Sequence, residues 1–204
     1  MAGQVVILNG VPRAGKTSIA TALQARLDGV WLNLGVDVVI AMTPAQWRPG
    51  IGLRPGGERP DLEPVVQTLY AGLFEAIAAE SRAGLNVVAD LGLHDAYSRP
   101  LGIVADAVRR LAGLPVLLVG VKCPIEAIMA RRNADPQGGY YAAGDTVPEP
   151  VRRWQEAVHR PGIYDLEVDT SVLSPEACVV AIGRALAAPP APSAFERLRR
   201  RGLA

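Results

Sequence analysis

Eight consecutive residues near the start of the chain have the types and spacing of a phosphate-binding loop. They match the pattern G-x-x-x-x-G-K-[ST] and are Gly10, Val11, Pro12, Arg13, Ala14, Gly15, Lys16 and Thr17. In this pattern the glycines let backbone N–H groups turn toward a polyphosphate, the lysine reaches the β- and γ-phosphates, and the threonine hydroxyl can bind Mg²⁺. We therefore predict that these residues, together with Ser18, bind a nucleoside triphosphate and that Lys16 is catalytic.

The choice of lysine within this loop is itself informative. Of the 21 basic residues in the chain, only Lys16 and Lys122 are lysines. Most basic positions in the chain are arginine, yet this loop has lysine, which is a compact ammonium group on a long side chain. This selectivity supports a ligand-binding loop over a glycine-rich turn without a ligand.

Two carboxylates are candidates for the chemistry at the phosphates. Asp37 follows the second apolar run, where it could accept the proton of a hydroxyl that attacks the γ-phosphate, or could interact only with a helix dipole. Asp90 ends the third apolar run, where an acidic residue commonly helps to hold Mg²⁺, or it could be a capping residue. We predict Asp37 as the catalytic base, and Thr17 with Asp90 as the metal site.

Three further side chains are candidates for contacts with nucleotide or substrate. Arg131 closes a predicted helix, and its guanidinium could stabilise the transferring phosphoryl group or stack on the base, or could be a solvated helix end. His94 follows Asp90 closely and Trp47 lies in a Pro- and Gly-rich stretch, so both are predicted to contact the substrate, although both could be ordinary loop or packing residues.

The elements that must position these residues alternate along the chain. Five apolar runs are predicted as strands: Val5–Asn9, Val30–Leu34, Asn86–Ala89, Val116–Val121 and Leu166–Val168. Six segments between or after them have helical spacing: Gly15–Leu27, Val36–Met42, Leu62–Arg82, Pro100–Leu111, Ile125–Arg132 and Pro175–Leu186. Apolar strands alternating with helices predict an α/β fold with a five-stranded parallel sheet and helices on both faces. Ligands of such sheets bind at the carboxyl ends of the strands, where the candidate residues lie.

Three stretches depart from this alternation. We expect residues 43–64 to form a mobile substrate cover and residues 134–150 a mobile lid, because long Pro- and Gly-rich loops within a domain are usually functional. Residues 188–204 form a Pro/Ala linker and a basic C-terminal segment, either a solvated tail or a docked helix. Residues 1–187 are predicted to form a single domain.

Bulk composition restricts the class of protein. The net charge is +1, so no global field recruits nucleic acid or an acidic membrane. No apolar stretch is long enough to span a bilayer, and the chain begins without the features of a secretory signal. Cys123 and Cys178 are far apart and show neither a disulfide framework nor a zinc spacing. We expect a cytoplasmic protein with no nucleic-acid or membrane partner.

Several segments together resemble the chloramphenicol phosphotransferase family. They are Asn9-Gly10 with Ala14–Lys16, Trp31-Leu32 with Gly35–Asp37, Val119–Val121 with Cys123, His159, and Tyr164–Thr170. The resemblance implies a P-loop fold like that of nucleoside and shikimate kinases, and ATP-dependent phosphorylation of an antibiotic hydroxyl. It also implies that Asp37 is the catalytic base, that residues 10–17 bind the nucleotide, and that Asp169 and Thr170 lie near its base.

Departures from the family leave the acceptor open. The chain has Asp90-Leu91 where the family has two acidic residues, and residues 135–139 replace further arginines that follow the one matched by Arg131. Chloramphenicol, another hydroxyl-bearing antibiotic, including a nucleoside-type one, or a metabolite such as a sugar, nucleoside or shikimate-like acid could be the acceptor. GTP could replace ATP, because the loop contacts phosphates only. A nucleotide-sensing module without catalysis is a further alternative, whereas a regulatory GTPase lacks support because no N-K-x-D motif is present.

Overall fold

The fold is centred on a five-stranded parallel sheet. The computed structural model describes residues 1–48, 59–135, 144 and 146–202. Its strands, in the spatial order β2-β3-β1-β4-β5, are β1 Val5–Asn9, β2 Trp31–Asn33, β3 Asn86–Leu91, β4 Val116–Lys122 and β5 Leu166–Asp169. Every pair of neighbouring strands is parallel, so the predicted fold class is confirmed.

Eight α-helices lie in the described ranges. They are α1 Lys16–Arg26, α2 Val36–Met42, α3 Glu63–Arg82, α4 Ile103–Arg110, α5 Ile125–Ala134, α6 Glu149–Ala157, α7 Pro175–Ala187 and α8 Ala194–Arg200. Two short 3₁₀ turns, Ala45–Trp47 and Pro60–Leu62, flank the undescribed residues 49–58. The six helices predicted from the sequence agree with the structure to within a few residues at each end.

The central strand β1 separates two apolar cores because its side chains alternate between the two faces of the sheet. Val5 and Ile7 face the core that α3, α4 and α8 cover, whereas Val6 and Leu8 face the core that α1, α5 and α7 cover. All five residues of β1 are buried. The loop that follows it is therefore held on a rigid base.

Parts of the two segments predicted to be mobile lie outside the described residues. These are residues 49–58 of the predicted substrate cover, and residues 136–143 and 145 of the predicted lid. Their predicted roles stay predictions.

The C-terminal segment contains the docked helix that the sequence allowed. Phe195 and Leu198 of α8 are buried in the core that contains α3 and α4. Ser193 and Glu196 form a capping box that satisfies backbone N–H groups at the start of α8. The basic residues of this segment thus belong to a helix packed on the domain.

We expect Phe195→Ala to destabilise the protein by about 3 kcal/mol, because it removes a large buried side chain and leaves a cavity. Urea unfolding followed by circular dichroism would measure this loss. Arg200→Ala, on the exposed side of the same helix, is the control and should stay within about 0.5 kcal/mol of wild type. Equal stability of the two variants would show that α8 contributes nothing to the core.

The structure also describes the two cysteines and the lengths of the apolar helices. Cys123 and Cys178 are both buried and free. Among the described residues, no helix combines the length and the apolar character needed to cross a membrane.

Candidate active site

The loop between β1 and α1 has the backbone shape that a phosphate site needs. Gly15 has a φ of 90°, which glycine adopts without strain, and Arg13 has a φ of 68°. Gly10 packs so closely on β4 that a Cβ atom there would lie 2.5 Å from the carbonyl oxygen of Val121. The glycines at both ends of the loop are therefore required by its geometry.

Lys16, Thr17 and Asp90 meet at the carboxyl ends of β1 and β3. Thr17 Oγ1 donates a hydrogen bond to Asp90 Oδ2 at 2.6 Å, and Lys16 Nζ lies 3.4 Å from Asp90 Oδ1. Lys16 Nζ also donates to the carbonyl oxygen of Val11 at 2.9 Å. The register that sets Leu8 beside Asp90 brings these residues together, as the parallel sheet predicted.

The oxygen atoms of Thr17 and Asp90 suit Mg²⁺. This ion is usually bound through one or two carboxylates, with substrate phosphates and waters completing its shell. The described residues hold no group of three or more His, Cys, Asp or Glu side chains placed to bind a metal. Thr17 and Asp90 are thus suitable ligands, and their metal role remains a prediction.

We expect Asp90→Asn to raise the Mg²⁺ concentration needed for half-maximal activity by on the order of 10–100-fold, because it removes the charged ligand while keeping an acceptor for Thr17. A magnesium titration at saturating nucleotide would measure the shift. An unchanged magnesium requirement would instead assign Asp90 a structural role in holding Lys16.

Asp37 lies in the first turn of α2 and is exposed. The helix starts beside the metal candidate: a Cβ atom on Gly35 would lie 2.9 Å from the carbonyl oxygen of Asp90. The β2–α2 junction therefore packs directly on the end of β3. An exposed carboxylate at this position is open to an incoming hydroxyl.

Arg131 and Thr170 contact the phosphate loop from α5 and from the end of β5. Arg131 Nη1 donates to the carbonyl oxygen of Arg13 at 3.1 Å, and Nη2 donates to that of Thr170 at 2.6 Å. Thr170 Oγ1 donates to the carbonyl oxygen of Ala14 at 2.7 Å. These contacts put both residues next to the loop, as expected of nucleotide-binding residues. For a catalytic role at the γ-phosphate, Arg131 would have to leave these partners.

Asp169 lies beside Thr170 but bonds within its own turn. Its Oδ1 accepts hydrogen bonds from the backbone N–H and the hydroxyl of Ser171 at 2.8 and 2.6 Å. The same hydrogen bonds lower the pKa of the Asp169 carboxyl below its usual range. The turn that carries Thr170 is thereby fixed, while contact between Asp169 and a nucleotide base stays a prediction.

The two predicted substrate contacts have different surroundings. His94 is only 1 % exposed, stacked on Tyr97 with 4.4 Å between ring centroids and edge-on to Trp154 at 5.2 Å. A substrate could touch its ring only after one of these aromatic neighbours moved. Trp47 is 49 % exposed in the 3₁₀ turn that precedes the undescribed residues 49–58, so it is open to a ligand.

Sequence analysis assigned no individual role to Asn9, Tyr164 and His159. The structure joins them in one hydrogen-bonded group beside the phosphate loop: Asn9 Nδ2 donates to Tyr164 Oη at 3.0 Å, and Tyr164 Oη lies 2.8 Å from His159 Nδ1. One signal was available, since an amide is unusual as the last residue of an otherwise apolar strand. The partners of that amide could not be read from it.

The comparison with protein families decides the assignment of the chain. The model of the chloramphenicol phosphotransferase-like proteins matches residues 3–187. The chain belongs to this family. A relative from Mycobacterium tuberculosis, strain H37Rv, is 30 % identical over 215 residues, which cover 98 % of this chain and 90 % of the relative. That relative is named, provisionally, as an O-phosphotransferase.

Solved structures agree on the P-loop kinase fold. The APS kinase of Mycobacterium tuberculosis, in complex with AMPPNP and APS, is 17 % identical with a TM-score of 0.61 and covers 92 % of this chain and 99 % of its own. Shikimate kinase from Acinetobacter baumannii, in complex with shikimate, is 14 % identical with a TM-score of 0.60 and coverages of 93 and 96 %. The tunicamycin resistance protein of Deinococcus radiodurans is 18 % identical with a TM-score of 0.60 and coverages of 92 and 99 %. Family and fold together make this chain a phosphotransferase.

Proposed function

We propose that this protein transfers the γ-phosphoryl group of ATP to a hydroxyl group of an antibiotic, and so confers resistance. The observation that carries the proposal is the meeting of Lys16, Thr17 and Asp90 at the sheet edge, with Asp37 exposed on the helix that starts beside Asp90. A phosphate loop, a candidate Mg²⁺ site and a candidate base at one edge of the sheet support this reaction. GTP is a second possible donor, because the loop contacts would be to phosphates.

Each side chain has one task in this reaction. Asp37 accepts the proton of the acceptor hydroxyl as its oxygen forms a bond to the γ-phosphorus, while the bond from that phosphorus to the β–γ bridging oxygen breaks and ADP leaves. Lys16 moves from Asp90 and the Val11 carbonyl to the β- and γ-phosphates and stabilises their charge. Thr17 and Asp90 would hold Mg²⁺, which would further neutralise the phosphate charge.

The described surface of α2 favours an acceptor with an apolar body. Val38 and Met42 are exposed at 45 and 74 % on the helix that carries Asp37, and Trp47 follows them. Arg48, the nearest cation along the chain, donates to the carbonyl oxygens of Thr43 and Ala41 at the end of that helix. Exposed apolar side chains suit the apolar body of an antibiotic better than the charged body of a shikimate-like acid, which supports the antibiotic.

A metabolic small-molecule kinase is the second candidate, because two of the structural neighbours are kinases bound to APS and shikimate. An acceptor screen with γ-labelled ATP and GTP would separate the two. The panel should contain chloramphenicol, nucleoside antibiotics, other hydroxyl-bearing antibiotics, sugars, nucleosides and shikimate. Label transfer to antibiotics alone would support the proposal, whereas transfer only to a metabolite would refute it. Nucleotide binding without any transfer would favour a sensing module.

A further inference from the structure

The side chain of Asn9 makes three hydrogen bonds at the base of the phosphate loop. Asn9 is the last residue of β1, directly before Gly10, and is 4 % exposed. Its Oδ1 accepts a hydrogen bond from the N–H of Leu93 at 2.6 Å. Its Nδ2 donates to the carbonyl oxygen of Val158 at 2.8 Å and to Tyr164 Oη at 3.0 Å. Both amide hydrogens and the carbonyl oxygen thus have partners.

The three partners belong to three different segments around the candidate active site. Leu93 lies just beyond β3, which ends with Asp90 and Leu91. Val158 is the residue that follows α6, and Tyr164 precedes β5. One amide side chain therefore connects the phosphate loop, the metal candidate and the end of α6.

Tyr164 is itself fixed independently of Asn9. A Cβ atom on Gly120 would come within 2.6 Å of its ring, so the ring lies flat against β4, and Lys122 Nζ lies 5.2 Å from the ring centroid. The backbone carbonyl oxygen of Tyr164 accepts a hydrogen bond from Arg197 of α8 at 2.6 Å. The hydroxyl that Tyr164 presents to Asn9 is consequently anchored from two sides.

His159 completes the group as a neutral acceptor. Burial, followed by the positive charges of Lys122 and Lys16, lowers the pKa of His159 to about 4. The ring is then uncharged at neutral pH, so Nδ1 can accept the Tyr164 hydroxyl hydrogen at 2.8 Å. Tyr164 Oη can then accept from Asn9, while its own hydrogen is shared between His159 Nδ1 and the carbonyl oxygen of Val158, which lies at 3.3 Å.

The element that this group holds packs beside the base of the phosphate loop, where a Cβ atom on Gly92 would also lie 3.6 Å from the carbonyl oxygen of Gly10. Trp154 of α6 lies directly on the backbone of Gly92, where a Cβ atom would be 2.6 Å from its ring, and its ring meets His94 edge-on. We propose that Asn9 and Tyr164 are positioning residues that hold α6 and Trp154 against the phosphate loop and thereby keep water from the γ-phosphate. This inference rests on the proposed kinase function. Without the link, the nucleotide still binds, but its γ-phosphoryl group is transferred more often to water.

The test compares Tyr164→Phe with Ser81→Ala. Tyr164→Phe keeps the ring on Gly120 and removes only the hydroxyl that joins Asn9 and His159. Ser81→Ala also removes a buried hydroxyl, which donates to the carbonyl oxygen of Gly3 at 2.6 Å at the opposite end of the sheet. The control thus matches the loss of one hydrogen-bonded hydroxyl, at a site away from the phosphate loop.

Two quantities should be measured for each protein. The first is hydrogen exchange of residues 149–158, with and without a non-hydrolysable ATP analogue. The second is the fraction of consumed ATP that appears as phosphorylated acceptor rather than as free phosphate. We expect Tyr164→Phe to speed exchange in α6 about tenfold and to increase the hydrolysed fraction, because the variant loses the hydroxyl that anchors the end of this helix, whereas Ser81→Ala changes neither.

The inference would be wrong if the Tyr164→Phe protein exchanged its α6 amide hydrogens at the wild-type rate. It would also be wrong if Ser81→Ala changed that rate by as much as Tyr164→Phe does. The exchange measurement needs no acceptor. If the wild type phosphorylates nothing in the screen, the proposed function fails while the link between Asn9, Tyr164 and α6 can still be judged on exchange alone.

Discussion

The Lys16→Ala protein is expected to fold normally and to lose at least about 10²-fold in kcat/KM for phosphoryl transfer. The loop contains two cations, and Arg13 is paired with Asp135, so Lys16 is the one that we expect at the β- and γ-phosphates. Groups that stabilise developing charge in a closed site contribute this much or more. Its position between the Val11 carbonyl and Asp90 shows that it already reaches the centre of the loop.

Folding should depend little on this lysine. Asp90 keeps its hydrogen bond from Thr17 when Lys16 is removed, and its side chain remains 12 % exposed, so the expected cost in unfolding free energy is at most about 2 kcal/mol. Lys16→Arg is the informative companion variant, because it retains the charge but replaces the compact ammonium with a planar guanidinium. Turnover assays and thermal unfolding of both variants would check the prediction. Near-normal turnover by a folded Lys16→Ala protein would exclude a P-loop kinase.

The parts of the site that the sequence predicted are those set by local pattern or by strand ends. Gly10 through Thr17 are contiguous, so their sequence pattern alone predicts the geometry of the phosphate-binding loop. Asp90 lies 73 residues from Thr17, yet it was found because parallel strands bring their carboxyl ends to one edge of a sheet. The five strands were predicted for the same reason, since strands buried on both faces read as continuous apolar runs.

The features of the site that the sequence did not predict depend on side-chain contacts between distant segments. Asn9 meets the carbonyl oxygen of Val158 across 149 residues, and no periodicity marks that pairing. The burial of His94 results from packing against Trp154, which lies 60 residues further along the chain in α6. The hydrogen bonds from Arg131 to Arg13 and Thr170 likewise join distant segments, 118 and 39 residues apart, that no local pattern pairs.

Asp37→Asn is expected to reduce kcat by about 10²–10⁴-fold while the nucleotide dissociation constant changes less than about threefold. This is the usual contribution of a general base, and the base acts on the acceptor hydroxyl rather than on the nucleotide. The amide is nearly the same size as the carboxylate and the residue is exposed, so the fold should not respond to the change. Single-turnover kinetics at saturating acceptor, with nucleotide binding by calorimetry, would measure the two effects separately.

A helix dipole effect would give a different pattern, and Glu176 supplies the comparison. It is an exposed acid in the first turn of α7, as Asp37 is in the first turn of α2. If both acids only stabilise their helices, Asp37→Asn and Glu176→Gln should each cost about 0.3–1 kcal/mol of stability and leave kcat similar to wild type. If Asp37 is the base, only its replacement should slow the chemical step, with both variants equally stable. A loss of nucleotide affinity larger than the loss of kcat would assign Asp37 to magnesium or nucleotide binding and leave the base to another residue.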